Sequence, residues 1–417
     1  MQTSITPSIL ATAKGQEAER ILRKCVHCGF CNATCPTYQL LGNELDGPRG
    51  RIYLVKQVLE GHRPTHRTLT HLDRCLTCRA CETTCPSGVE YGRLADLGRE
   101  LAEERVRRSW LEILARSGIR FVFARPLLVR LGLLAGRIVR PFLPAGASRM
   151  VPPARRAGRR PAARHRRRML VLAGCVQRAA EPRINAAAAR VFDRLGISLV
   201  RARKETCCGA IDHHLTAPAR ALARMRRNID AWWPHIENGA EAIVVTASGC
   251  GAVVREYGHL LRNDPAYAEK AARVSSLTRD PGEAIEEALS ADEMALDRLG
   301  LDGRRTRVAF HAPCSLSHGL RAADAVERVL ERCGFERAQV ADAHLCCGSA
   351  GTYSILEPTL SKRLLERKIE ALERNEPEII ATANIGCLLH LRRRAGHPVV
   401  HWIELLDPAA LRPAGGR

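Results

Sequence analysis

Cys25-Val26-His27-Cys28-Gly29-Phe30-Cys31-Asn32-Ala33-Thr34-Cys35-Pro36 and Cys75-Leu76-Thr77-Cys78-Arg79-Ala80-Cys81-Glu82-Thr83-Thr84-Cys85-Pro86 are two copies of one pattern, C-x2-C-x2-C-x3-C-P. The short gaps let three thiolates from one loop reach three irons of a [4Fe–4S] cube, while the fourth cysteine opens the next segment. Where two such loops occur together, that fourth cysteine serves the other cube. The pattern therefore predicts one cube on Cys25, Cys28, Cys31 and Cys85, and a second on Cys75, Cys78, Cys81 and Cys35. Zinc is the competing reading, since C-x2-C pairs suit a tetrahedral ion. Zinc has no use for a third cysteine at the same step or for a fourth followed by proline, and the whole pattern occurs twice.

Outward from these loops, Ala13 to Lys24 reads as a helix with Ala18, Ile21 and Leu22 on one face. Gly47-Pro48 and Gly50 mark a turn, Ile52 to Leu59 resumes helical spacing, and Leu69 to Asp73 leads into the second loop. Val89 to Val106 reads as the exit helix. Arg49 and Arg51 have two readings, pairing with cluster charge or a partner and solvated surface, and the second is the favoured one.

The chain has 417 residues, enough for two or three domains, and a 46% apolar content, enough for a core without disulfides. Seventeen cysteines without an export signal over Met1 to Ala13 point to a reducing compartment and metal ligation. The formal charge is +21, and residues 113–180 hold sixteen arginines and no Asp or Glu. Such a field suits nucleic acid, anionic lipid or an acidic subunit. Only 4% of residues are aromatic, and they do not interleave with the basic run, so a base-stacking surface is not indicated. Within 111–150 the apolar runs Phe121-Val122-Phe123 and Leu131-Gly132-Leu133-Leu134 are broken by Arg125, Arg130, Arg137 and Arg140. None approaches the ~20 apolar residues of a membrane span. An apolar face with an arginine margin fits a helix lying on anionic lipid, or one packed between subunits with its arginines on the wet side. Val151 to Arg168, with eight arginines and three prolines, reads as an exposed linker.

Beyond Met169 the chain repeats itself. Cys175 matches Cys314 and Cys207-Cys208-Gly209 matches Cys346-Cys347-Gly348, each at an offset of 139, and Cys250 matches Cys387 at 137. In each copy an apolar run ends at a cysteine and a helix follows (Arg183 to Leu195, Ala322 to Cys333). A short strand then leads to Cys-Cys-Gly, and a second helix precedes the last apolar run. Strands alternating with helices predict a parallel α/β layer, with Cys175, Cys250, Cys314 and Cys387 at the carboxyl ends of strands, where sites collect. Vicinal cysteines disfavour a disulfide with each other. Cys175, Cys207, Cys208 and Cys250, and Cys314, Cys346, Cys347 and Cys387, are thus candidates for a further iron–sulfur centre, a zinc site or a reactive thiol pair. The competing reading is small buried residues. Cys333 has no counterpart and is assigned to the core.

With these motifs in hand, together with Leu45-Asp46-Gly47-Pro48-Arg49-Gly50-Arg51-Ile52-Tyr53-Leu54 and Pro398-Val399-Val400-His401-Trp402-Ile403-Glu404-Leu405-Leu406, the chain resembles the glycolate oxidase iron–sulfur subunit family over nearly all its length. It is also similar to an iron–sulfur subunit of anaerobic glycerol-3-phosphate dehydrogenase, to lactate-utilisation proteins and to heterodisulfide reductase subunits. The resemblance implies an α+β multidomain protein. An α-helical ferredoxin-type domain (1–110) carries two [4Fe–4S] clusters, and a basic amphipathic segment and linker (111–168) follow. Two α/β Cys-Cys-Gly units (169–300 and 301–417) complete the chain. It implies a complex in which FAD-binding flavoprotein subunits oxidise glycolate to glyoxylate. This chain would pass electrons toward membrane quinone from the cytoplasmic face of the inner membrane. The alternatives are the same role with lactate or glycerol-3-phosphate, or a thiol/disulfide reductase of heterodisulfide reductase type. Relatives of that last type end in C-x2-C; here the first of that pair is Ala247 or Asn384, which leaves four cysteines per unit. No G-x-G-x-x-G or Walker motif is present, so no nucleotide site is expected in this chain, no side chain is assigned a catalytic role, and no nucleic-acid partner is expected.

Overall fold

The computed structural model describes residues 1–301 and 305–411; residues 412–417, the end of the expected second unit, lie outside the described residues. The first hundred residues are helical. The helix Ala13–Lys24 starts at Thr12, whose side chain accepts the Gly15 N–H at 3.0 Å, and ends with Arg23 and Lys24 where the helix dipole favours cations. Its apolar face, with Ile21 and Leu22, joins Leu59, Leu72 and Leu94 in one core. The next long helix runs Pro48–Leu59, four residues longer than the spacing predicts. Pro48 occupies its first turn, where a missing N–H costs nothing, so this proline starts a helix rather than interrupting one. Gly50 sits inside that turn because a Cβ there would lie 2.2 Å from the Glu44 carbonyl oxygen. Helices His66–Asp73 and Tyr91–Arg105 complete the module.

Two further helices, Trp110–Phe123 and Pro126–Val139, lie on the outside. Leu127, Leu131, Leu134 and Ile138, at helical spacing along one face, are exposed, as are Trp110, Leu114 and Phe121. Arg125 and Arg130 flank them in solvent. Other arginines of the segment turn inward: Arg116 pairs with Asp73 at 2.8 Å, and Arg120 donates to the Leu215 carbonyl at 2.8 Å. Among the described residues no helix is long and apolar enough to cross a membrane.

Two four-stranded parallel sheets follow, with identical strand order. The first is β1 (Arg167–Val171), β2 (Ile197–Val200), β3 (Ile243–Val244) and β4 (Thr278–Arg279), ordered β2-β1-β3-β4. The second is β5 (Arg307–His311), β6 (Glu336–Arg337), β7 (Ile379–Thr382) and β8 (Val399–His401), ordered β6-β5-β7-β8. The outer strands β4 and β8 are absent from the sequence expectation because two or three residues carry too little periodicity to read. Helix Arg183–Arg194, whose Ala186 to Ala189 are all buried, packs against Trp402 and Ile403 near the end of the chain. The two units thereby share one core. Their cysteine loops also meet: Ser248 N–H donates to the Ala383 carbonyl at 3.1 Å, and Ser248 and Ser315 hydroxyls bond at 2.8 Å.

Candidate electron-transfer centres

Each C-x2-C-x2-C loop is wound by left-handed residues at equivalent places: His27 (φ 57°) and Gly29 (φ 88°) in the first, Thr77 (φ 53°) and Arg79 (φ 62°) in the second. For the three non-glycines this is strained backbone, which proteins retain chiefly where a site requires it. The fourth cysteine of each loop sits with the other loop's three. Cys31 is pushed up to about 11 by burial and then by Cys25, Cys28 and Cys85. Cys78 and Cys81 are raised by burial and by neighbouring thiols that include Cys35 and Cys75. Cys35, Cys75, Cys78 and Cys81 line one small cavity with Arg51 and Tyr91. Thiols crowded this way resist becoming thiolates unless a cation is placed among them, and the second set already has compensation. Burial pushes Cys75 up, but the Arg51 and Arg99 guanidiniums more than reverse it and leave Cys75 lowered. Tyr91 O–H and Thr77 N–H donate to its Sγ at 3.5 and 3.4 Å. A small pocket of four thiols ringed by donors fits an iron–sulfur cube.

The expectation that Arg49 and Arg51 are solvated is corrected in part. Arg51 is 1% exposed, donates to the His71 carbonyl at 2.7 Å and to Thr37 Oγ1 at 3.2 Å, and lies 3.7 Å from Asp46. Arg49 is partly exposed and pairs with Glu44 at 2.6 Å. The L-D-G-P-R-G-R stretch is thus the inner wall of the second thiol set. A buried arginine next to a buried aspartate left no periodic signal to find it by.

In the Cys-Cys-Gly units the cysteines gather from three loops. Cys175 Sγ lies 3.5 Å from Cys207 Sγ, and Cys314 Sγ lies 3.7 Å from Cys346 Sγ. Cys207 accepts from Cys175 and Cys208, which holds it well below the ordinary thiol range. The glycine of each triplet is left-handed, at 92° for Gly209 and 86° for Gly348. A Cβ on Gly348 would lie 2.7 Å from the Ser361 carbonyl oxygen, so the following helix can approach only glycine there. Gly348 N–H then donates to Cys346 Sγ at 3.4 Å. His311, set among the apolar residues of its strand, sits beside Cys347 and Cys387. Cys333 is buried in the core, and burial raises it to about 12.

The centres are not isolated. A cavity of about 770 Å³ is lined by Cys75 and Cys78 of the second loop, by Cys175, Cys207, Cys208 and Cys250, and by Cys314, Cys346 and Cys387. Burial raises Cys78 most, and Cys314 is close enough to add to that rise electrostatically. Polar contacts hold the helical module to the first unit: an Arg79–Glu256 ion pair at 2.9 Å, and Asp96 to His213 and His214 at 3.3 and 3.4 Å. Burial of Asp96 is outweighed by its histidine partners, which keep it well below the usual carboxylate range. Of the two, His213 is raised because Asp96 overcomes its burial, whereas burial lowers His214, so His213 is the charged partner. Cys28 is exposed at the far end, flanked by exposed Val26 and Phe30.

Residues 21–89 match the 4Fe-4S dicluster domain family, and residues 169–255 and 308–392 each match the Cysteine-rich domain family. The glycolate oxidase iron-sulfur subunit of Escherichia coli (strain K12) is 53% identical over 98% of this chain and 99% of its own. The probable glycolate oxidase iron-sulfur subunit of Bacillus subtilis (strain 168) is 30% identical over 93% and 94%. Lactate utilization protein A of Geobacillus kaustophilus (strain HTA426) is 27% identical but covers only 54% of this chain. Full-length likeness, a dicluster module and a duplicated cysteine-rich domain together place this chain in the glycolate oxidase iron–sulfur subunit family.

Proposed function

We propose that this chain relays electrons within a glycolate-oxidising complex, from an FAD-bearing flavoprotein partner that converts glycolate to glyoxylate toward a membrane quinone. Cys25, Cys28, Cys31 and Cys85 would hold one [4Fe–4S] cluster, and Cys75, Cys78, Cys81 and Cys35 the other. When bound, such clusters take up and release electrons singly over a wide range of potentials. The observation that carries this reading is two sets of four thiols, each completed by the other loop's last cysteine, with exposed Cys28 in one and Cys78 of the other close to Cys314, in a chain without a nucleotide-binding motif. Oxidation of a 2-hydroxy acid delivers two electrons as hydride to a flavin or nicotinamide, so that step belongs to a partner. Val26 and Phe30, beside Cys28, form the apolar patch on which the donor would dock. Arg51, Arg99, Tyr91 and Thr77 favour anionic sulfur at the second set and set its potential. The eight cysteines of the Cys-Cys-Gly units would hold a further centre, iron–sulfur or zinc, beyond it.

The exposed leucine face of Pro126–Val139 with its arginine margin supports peripheral attachment to anionic lipid; in this reading the chain lies on the cytoplasmic face of the inner membrane. A second reading, thiol/disulfide reduction, has one observation in its favour. The low thiol of Cys207 borders a cavity large enough for a small disulfide.

Iron and acid-labile sulfide counts on oxygen-free protein, with EPR, test the assignment. About eight irons per chain are expected from the two loops alone. Cys28→Ala should stop reduction of a quinone analogue by glycolate while the flavoprotein still reduces an artificial acceptor. Normal relay by that variant would overturn the ligand assignment, and disulfide turnover by the chain without its partner would favour the second reading.

A further inference from the structure

His311 ends β5 where its counterpart Leu172 follows β1, each three residues before the first cysteine of its unit. His311 is 1% exposed, and neither ring nitrogen has a hydrogen-bond partner among the described residues. A neutral imidazole carries one donor and one acceptor, and leaving such groups unmet in the interior forfeits their full desolvation energy. Other buried histidines of the same unit do not bear that cost. His401 Nε2 donates to the Thr246 carbonyl at 2.8 Å and its Nδ1 accepts from Ile403 N–H, and His390 bonds Ser361.

What His311 does have is thiols. Its ligand nitrogen and the Sγ atoms of Cys347 and Cys387 all lie within 4.8 Å of one another, and all three residues are buried. Zn–S bonds of about 2.3 Å and Zn–N bonds of about 2.0–2.1 Å set tetrahedral ligand atoms roughly 3.5–3.8 Å apart, so a small inward movement closes the set on one ion. No three of the eight loop cysteines gather so tightly, nor do three cysteines of the first Cys-Cys-Gly unit; the other set this close among the described residues, Asp96, His213 and His214, is less buried and contains no thiol. Wider spacing is what thiolates on separate irons require. Asn384 Nδ2 donates to Cys387 Sγ at 3.6 Å, an outer contact that orients the thiolate. Cys346, within hydrogen-bonding reach of Cys347 and lining the cavity, is available as a third sulfur.

We propose that His311, Cys347 and Cys387 bind one divalent metal ion of the zinc class, so that the second Cys-Cys-Gly unit carries a mixed imidazole–thiolate centre and the first does not. A Cys3His set completed by Cys346 is a closed, structural composition rather than a redox-active one. Its place under the cavity floor would hold the cysteine loop of the second unit in position against Cys78. The ion rests on the reading of the Cys-Cys-Gly cysteines as a further centre, narrows it to one unit and one metal, and stands whether or not the substrate is glycolate.

The full chain, prepared without oxygen, is assayed for zinc and iron by mass spectrometry and for zinc coordination by X-ray absorption. One zinc per chain with a nitrogen among its ligands is expected. His311→Leu, which installs the residue of the first unit, should lower zinc content about tenfold or more while iron and the cluster EPR signals persist. His311→Cys should keep zinc but give an all-sulfur shell. An absence of zinc from the wild type, iron lost with His311→Leu, or a zinc shell without nitrogen would each overturn the proposal. These outcomes are separate from failure of the eight-cysteine assignment, which reads out in iron. Should His311→Leu not fold, the wild-type shell and His311→Cys still decide.

Discussion

Arg51 carries a charge into the interior of the helical module, where it faces Asp46, Cys35 and Cys75. Burial opposes its charge, yet the surrounding anionic groups raise it above its ordinary value. Removing it as Arg51→Met would leave Asp46 with weaker compensation, and breaking such a buried pair typically costs about 3–5 kcal/mol. It would also take a positive charge away from the second thiol set, making reduction of a bound cluster harder. A fall in melting temperature and a drop in midpoint potential on the order of 60 mV, a tenfold change for one electron, are expected. An EPR-monitored redox titration that finds no shift would show that Arg51 acts on stability alone. His401 gives a pH prediction. Burial lowers its pKa to about 4, against an ordinary value near 6.5, although its backbone partners pull the other way. The unfolded chain therefore takes up a proton that the folded one refuses. Stability from this group is complete above pH 6.5 and falls as the pH drops toward 4. His390, lowered to about 4 by burial, adds to the same window. Urea denaturation at pH 7 and pH 5 should show a smaller loss in His401→Gln than in the wild type; equal losses would contradict the neutral imidazole.

At the scale of elements, the sequence displayed what spacing can encode. The cluster loops, the helix Ala13–Lys24, the parallel units and their carboxyl-end cysteines follow from local pattern. The structure adds what only tertiary contact decides: Pro48 starting a helix, Arg51 and Arg116 turned inward, and the tiny outer strands β4 and β8. His311 was legible only by aligning the repeat, where a polar residue replaces Leu172. The helix Pro126–Val139 keeps its leucines outward, and a water-facing apolar stripe needs something to cover it. Replacing Leu127, Leu131 and Leu134 together by glutamate should abolish co-sedimentation with vesicles containing anionic lipid while leaving iron content unchanged. Binding that survives those changes would place the attachment elsewhere. Raising the salt concentration should weaken the wild-type interaction, since the arginine margin contributes through screened charge.

For the whole molecule, the second cluster loop is also a packing element. Leu76 joins Cys346, Tyr353, Leu360 and Leu364 in a small core, with Cys78 and Cys314 at its edge. Loss of metal from the second set should therefore be felt across the domain boundary. In Cys78→Ser, hydrogen exchange over residues 346–364 is expected to rise, whereas residues 183–194, in the core shared by the two units, should stay protected. Unchanged exchange over 346–364 would mean that the module and the second unit are merely adjacent.

Among the loop cysteines, Cys28 alone is exposed rather than buried or half-buried. Cys28 stands in solvent between Val26 and Phe30, while Cys25 and Cys81 are buried. With iron in place, dioxygen would meet the outer centre first, so air would corrode this wire from its terminal inward. A donor flavoprotein docked there, as proposed, would then double as its insulation.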